Sequence, residues 1–528
     1  RLKHANVGGA DFLTLELDGS MVPWHDIPWD KLAQRPGQYN ELKAKLLKTT
    51  LTISLGLRGD YLLLAVGSGT EPLAALGTGK MLTELPELKP LEKFADRRLA
   101  DVSYVSKAML SVVSSTKGDL DQWVGIGRQL LPSAGLPNEV NQRIIADIGE
   151  LANDIKDAIP QIGAQMSFSF LTAQGIEGYH YDWSENLSYD GSKPLEILDH
   201  AGGSPLLVAA GRSKYSPNEY ELLRKWMRKG FTYFEDFATP QFTPQQQVQY
   251  AKIKQAALPL IERLDRVTAD KLVPALADGQ TALVLDARIS SKQWFQVMPQ
   301  GDQSLPMLEM ALVVGVSDAK LLKEAFTDYA EIANAAMDKI LEFDPTAFGG
   351  AKPPKLALNE QTPVDSGVIY WNKLPAEWGV DSQLTPNVGV GEHYAVASFA
   401  PKQSERLLAT KPLKTAPDGP LANRQQPLAG ASYFNFAGTI DAATPWIDFA
   451  VRQFAPHAVE AAGAGFFMPG AEAQTKLAAA DDPTTQMILN QVHTVLEVFK
   501  SFRTSETATY SEAGAMVTHS LSVFHDAE

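Results

Sequence analysis

Two stretches of this 528-residue chain carry the same strand–turn–strand wording far apart. Leu51-Thr52-Ile53-Ser54-Leu55-Gly56-Leu57 leads without gaps to Tyr61. Leu384-Thr385-Pro386-Asn387-Val388-Gly389-Val390 leads without gaps to Tyr394, an offset of about 333 residues. Apolar strands 62–66 and 395–399 follow, each with a short helix candidate behind it, at 72–76 and 403–409. Four further anchors recur in the same order. Leu99-Ala100 with Ser103-Tyr104 answers to Leu428-Ala429 with Ser432-Tyr433. Trp123 with Arg128-Gln129-Leu130-Leu131-Pro132 answers to Trp446 with Arg452-Gln453-Phe454-Ala455-Pro456. The helix face Ile148, Leu151, Ile155 and Ile159 answers to Ile488, Val492, Val495, Phe499 and Phe502. Gly175 and His180 answer to Gly514 and His519 at about 339. Ordered anchors with nearly constant offset predict an internal duplication of about 330 residues per unit.

The register of the match divides the chain. Residues 1–189 read as a partial first copy and 190–528 as a complete second copy, with 190–350 lacking a counterpart in the first. Either a segment ahead of Arg1 supplies that counterpart, or 190–350 is an insertion; the first is the expectation.

The unmatched segment is locally legible. Residues 204–211 read as a strand. Ser216-Pro217-Asn218-Glu219 is a helix start, with Ser216 as cap, Pro217 at the first turn and Glu219 able to return a bond; Gly230 is placed to stop it. After a Pro/Gln-rich linker at 237–247, Thr243-Pro244-Gln245-Gln246 opens a longer helix towards Leu272, with a kink expected at Pro259. Strands are expected at 281–289 and 307–316, a long amphipathic helix at 318–343 and a surface loop at 347–363. The runs 61–66 and 311–316 read as buried strands. Strands and helices in segregated stretches predict an α+β fold with mixed or antiparallel sheets and packed amphipathic helices.

Composition narrows the function classes. With 45% hydrophobic and 21% charged residues the chain is expected to fold, into roughly two to four domains. A net charge of −15 argues against nucleic acid, whose phosphates need a cationic footprint. The absence of cysteine removes disulfides, thiolate nucleophiles and thiolate metal sites, and is compatible with export. No apolar run reaches the roughly 18–20 residues of a membrane helix.

Motif chemistry is sparse. Gly77-Thr78-Gly79-Lys80 lacks the earlier glycine and the following Ser/Thr of a phosphate loop, since Ala74 and Met81 stand there. Gly202-Gly203-Ser204-Pro205-Leu206 and Gly430-Ala431-Ser432-Tyr433-Phe434 both lack the closing glycine of a nucleophile elbow. The nine histidines are scattered. Asp182-x-Ser184-x-Asn186 starts like a calcium loop but has Leu187 at the sharp turn and Lys193 at the closing position. No metal, cofactor or catalytic residue is assigned. Two binding candidates remain. Trp24, His25, Asp26, Trp29 and Asp30 could stack on a sugar or peptide, or pin a turn onto the core; Pro375-Ala376-Glu377-Trp378 is a loose counterpart. His180 and His519 are either equivalent binding residues or half-buried strand histidines.

Arg58-Gly59-Asp60-Tyr61-Leu62-Leu63-Leu64-Ala65-Val66-Gly67 and Leu308-Glu309-Met310-Ala311-Leu312-Val313-Val314-Gly315-Val316-Ser317-Asp318 resemble large exported bacterial proteins of an uncharacterised family, a domain of unknown function. The resemblance implies an extracytoplasmic place, in the periplasm or at the cell surface, and carries over no site residue. The expectation is a non-enzymatic structural, scaffold or interaction protein that self-associates or binds another envelope protein. The alternative is a glycan- or peptide-binding protein or hydrolase with a cleft between the copies.

Overall fold

Apolar–polar alternation sets the strands. The computed structural model describes residues 2–21, 27, 40–78, 80–113, 117–131, 137–347, 353, 355–356, 361–464 and 483–524. It divides into two units, Arg1–Ala95 and Asp96–Glu528. In the first, β1 (Leu2–Val7), β2 (Ala10–Asp18), β3 (Thr50–Arg58) and β4 (Tyr61–Gly67) form an antiparallel meander in sequence order. Gly59, at φ +59°, makes the tight β3–β4 turn that a side chain with a Cβ would strain. Phe12, Thr14, Thr52 and Ser54 are buried, and the Thr14 and Ser54 hydroxyls bond at 3.2 Å.

The second unit holds a 13-stranded sheet. Its strands are β5 (Leu99–Val105), β6 (Gln165–Leu171), β7 (Gly175–Asp182), β8 (Leu207–Arg212), β9 (Gln280–Asp286), β12 (Glu309–Gly315), β13 (Gln361–Val364), β14 (Gly367–Trp371), β15 (Asn387–Val390), β16 (Tyr394–Ser398), β17 (Gly430–Asn435), β18 (Phe502–Glu512) and β19 (Ala515–Phe524). A separate two-residue pair joins β10 (Ser290–Ser291) to β11 (Leu305–Pro306). The large sheet runs β13-β14-β15-β16-β12-β9-β8-β17-β18-β19-β7-β6-β5, and every neighbouring pair is antiparallel. With 43% helix and 29% strand, the protein is α+β.

One face of this sheet is the core. Val208, Ala282, Val284, Ala311, Val313, Val396, Ala431 and Ala508 point into it, under Ile197, Leu198, Leu407 and Leu408. The helix Pro401–Leu408 supplies Leu407 and Leu408, each fully buried side chain worth roughly 1.5–3 kcal/mol. The helices Pro244–Val267 and Ala319–Phe343 pack through Val267, Ala325 and Ile332 and are tied by Arg263–Asp328 (2.9 Å), and Lys271 of the π-turn Thr268–Leu272 adds a second bond to Asp328 (2.8 Å). Along the helix Asn138–Ala158, Asp147, Glu150 and Asp154 meet Lys225 and Lys229 of the helix Pro217–Tyr233.

Four local expectations need correction. The helix at Pro217 runs through Gly230 to Tyr233 and on into a π-turn. Its last turn is held from outside, by Lys229 on Asp147 and by the Tyr233 hydroxyl donating to Asp147 at 2.6 Å, so tertiary bonds override the local stop. The Ser216 side chain makes no cap bond, whereas Thr243 and Gln246 form both bonds of a capping box. Finally, the run 61–66 is not buried: Leu62 and Leu64 of β4 are 68% and 67% exposed. β4 ends its sheet, with β3 as its neighbour, and strand wording alone does not say whether anything covers a strand. The run 311–316 alternates instead, with Ala311 and Val313 buried and Leu312 exposed.

Candidate functional site

A cluster of buried charge sits where two apolar strands end in acids. β9 closes on Asp286 and β12 opens on Glu309, which the register sets side by side. Both continue the buried phase of their strands, behind Ala282 and Val284 and ahead of Ala311 and Val313, so both carboxylates enter the core. Arg406, from the helix Pro401–Leu408, places one guanidinium nitrogen 3.0 Å from Glu309 Oε2 and 3.3 Å from Asp286 Oδ2. Glu309 Oε1 also accepts from the backbone N–H groups of Arg288 and Ile289. Arg288 Nε lies 2.7 Å from Asp286, and its Nη2 donates to the carbonyl of Gly202. Gln403, fully buried, donates to the Glu309 carbonyl at 3.1 Å.

Burial pushes the Asp286 carboxyl above the usual carboxylate range, against the pull of Arg288 and Arg406. Paired carboxylates can serve as general acid and base when a substrate fits between them. Here one guanidinium fills the space between the two, and the Glu309 side chain has no solvent contact. The arrangement therefore clamps a helix to the sheet. These residues were not singled out from the sequence. The signal was present, as a charged residue in phase with the buried positions of an apolar strand.

The histidine candidates separate. His519 on β19 stands opposite Tyr179 of β7, while His180 stands opposite Thr518. Successive residues of a strand face opposite ways, so the two histidines lie on opposite faces of the sheet. His180 is exposed. His519 is stacked on Tyr179 at 4.3 Å between ring centres, and its Nε2 lies 2.8 Å from Glu177 Oε1. Burial outweighs the attraction of Glu177 and holds the imidazole below the usual histidine range. The ring is thus neutral near pH 7 and donates its Nε2–H to the carboxylate. Burial first, then the charge of Glu177, pushes the Tyr179 phenol far up, and its hydroxyl donates to the same oxygen at 3.0 Å. This is a satisfied internal triad.

Trp24, His25, Asp26, Trp29 and Asp30 lie outside the described residues. Their loose counterpart Trp378 is exposed in a single 3-10 turn. Asp182 bonds the backbone of Ser184 at 2.9 Å as a local turn. Among the described residues, no group of three or more His, Asp or Glu side chains is placed to hold a metal ion. No helix among them is long and apolar enough to cross a membrane.

The face of the sheet opposite the core changes character along one row of paired residues. Ala397, Leu312, Leu283 and Ala209 give way to Ser432, Thr507 and Ser520. The hydroxyl half is knitted by Ser432–Thr507 (2.8 Å) and Thr509–Thr518 (2.9 Å). In the apolar half, Val314, Val390 and Ala395 are covered by Ala275 and Leu322, while the row of Leu312 and Leu283 is open. Leu283, Met310, Leu312 and Phe399 line a groove of about 580 Å³ beside Phe326 and Tyr329. Neither a protein-family model, nor a curated protein, nor a solved structure matches the chain.

Proposed function

We propose that this chain is a non-enzymatic structural or interaction protein, exported to a bacterial envelope or cell surface and built from a duplicated sheet module. The observation that carries this reading is the pairing of β7 with β19, from Gly175↔Val523 to Asp182↔Met516. It joins strands from the two sequence-related stretches into one continuous sheet, the way separate subunits join edges. The order strand–strand–strand–strand–helix–strand–helix–helix–strand–strand from 361 to 524 supports the duplication, because residues 2–182 follow it with short additions. The Asp286–Glu309–Arg406 and Glu177–Tyr179–His519 clusters are engaged in internal bonds, and the exposed Leu283, Met310 and Leu312 of the outer sheet face are free to meet a partner. That partner is a second copy or another envelope protein.

Light scattering on the purified chain, beside a Met310→Asp/Leu312→Asp variant, tests the reading. Concentration-dependent association that the variant loses is expected. A monomer that binds or cleaves a glycan or peptide would overturn it.

A further inference from the structure

Counterpart residues of the two stretches differ in burial, and residues of 190–350 share in the difference each time. Leu428, Ala429, Ala431 and Tyr433 in and before β17 are all at most 5% exposed. β17 lies between β18 and β8, with Arg212 N–H bonding the Ala429 carbonyl at 3.0 Å and Asn435 N–H the Leu206 carbonyl at 2.8 Å. β5 carries the matching Leu99-Ala100 and Ser103-Tyr104. It is the last strand of the sheet, paired with β6, and Val102, the counterpart of Ala431, is 47% exposed.

Trp123 and Trp446 differ in the same direction. Trp446 packs with Ile289, Trp294 and Leu305 and donates its indole N–H to the Pro306 carbonyl of β11. Trp123 is 69% exposed. The first unit, taken by itself, repeats the pattern. Leu62 of β4 is 68% exposed, whereas its counterpart Ala395 is 3% exposed in β16, which pairs with β12. In all three cases residues of 190–350 contribute to the cover in the second stretch: Ile197, Leu198 and Val208 beside Ala431, Ile289, Trp294 and Leu305 beside Trp446, and Ala275, Val316 and Leu322 beside Ala395.

We propose that the open edge of β5 is a docking site for a strand of the β8 kind, belonging to an α+β module built like residues 190–350. The module's edge strand continues the main-chain ladder past β5, and its short hairpin accepts the indole N–H of Trp123 and covers the ring. A second copy of this chain does not serve, since its own β8 and β12 are already paired on both edges. The inference rests on the duplication proposed above and not on the scaffold role.

Hydrogen-exchange mass spectrometry tests it, on the protein purified from its source beside the 1–528 chain held dilute and monomeric. In the 1–528 chain, amides of β5 should exchange at least about 100-fold faster than those of β17, as expected of an edge strand. In the native protein, β5 should be slowed to the level of β17, with peptides of the added module present and protected. Native β5 amides that exchange as fast as in the 1–528 chain overturn the proposal. So does protection of β5 with copies of 1–528 alone, or with a partner lacking the strand–helix–strand build. A glycan- or peptide-cleaving activity would remove the scaffold reading and leave this result unchanged.

Discussion

Replacing Arg406 by alanine removes the counter-ion that two buried carboxylates share. In the native protein its guanidinium bridges Glu309 at 3.0 Å and Asp286 at 3.3 Å, and the arginine side chain is only 12% exposed. Asp286 keeps Arg288, which is partly solvated. Glu309 keeps two backbone N–H donors but loses its one ion-pair partner among the described residues. Leaving a buried charge without its partner costs about 3–5 kcal/mol. The surviving backbone bonds place Arg406→Ala near the lower end, at about 3 kcal/mol. Urea unfolding of the second unit, followed by tryptophan emission, measures this, because Trp294 is fully buried near the same loop.

The pH dependence carries a sign. The folded-state pKa of Asp286 is already raised, so the folded protein holds that proton to higher pH than the unfolded chain. Stability from this group is fully present below the unfolded carboxylate pKa and is lost as pH rises through the folded value. Removing Arg406 raises that value further, so the gap between variant and wild type should widen from about pH 4 to pH 7. An Arg406→Met/Glu309→Gln double variant should recover more than half of the loss, since no charge is stranded. A neutral-pH loss under about 1 kcal/mol, or a gap that does not shrink in acid, would refute the clamp.

His519 has a lowered folded pKa, so the unfolded chain binds the extra proton first. Its contribution is complete above the unfolded histidine pKa of about 6.5 and is lost as pH falls towards the folded value. His519→Gln should flatten stability against pH in that window, and the NMR titration midpoint of the His519 ring should lie below 6.5. Thr243→Ala breaks a formed capping box and should cost about 1 kcal/mol, whereas Ser216→Ala, with no side-chain bond to lose, should stay within about 0.5 kcal/mol by urea titration. Trp446→Ala empties a packed site beside Trp294 and Leu305 and should cost about 3 kcal/mol in the 1–528 chain, while Trp123→Ala should cost under about 0.5 kcal/mol. Equal costs would mean that the two indoles have equivalent surroundings.

The α+β class was legible because strand alternation and helix periodicity are local. The long helix at 319–343, its Asp318 cap bonding Leu321 N–H at 2.9 Å, and the strands β9 and β12 all fall where residue spacing puts them. What decides burial is which strand lies alongside, and that was not legible. The apolar run of β4 reads like a core strand, and its exposure depends on a neighbour and not on its own residues. The buried Asp286–Glu309–Arg406 clamp joins positions far apart in the chain, so only the register of β9 against β12 brings it together.

The histidine pair shows how a match in sequence can miss a match in space. The β6–β7 turn pairs Leu171 with Ile176 around four residues, while the β18–β19 turn pairs Glu512 with Ala515 around two. Counting forward from the turns sets Ile176 beside Ala515 and His180 beside His519. Yet Ile176 shares the face of His180, opposite to the core-facing Ala515, Val517 and His519. A slip of one residue exchanges the faces of every side chain in a strand. Matched by face, the counterpart of His519 is Tyr179 or Tyr181, and the Glu177–Tyr179–His519 contacts cross the β7–β19 seam. The triad therefore belongs to the joint between the two stretches. A His180→Ala change, on the opposite face, should leave the pH profile set by His519 untouched; a shift in that profile would place the two histidines in one site after all.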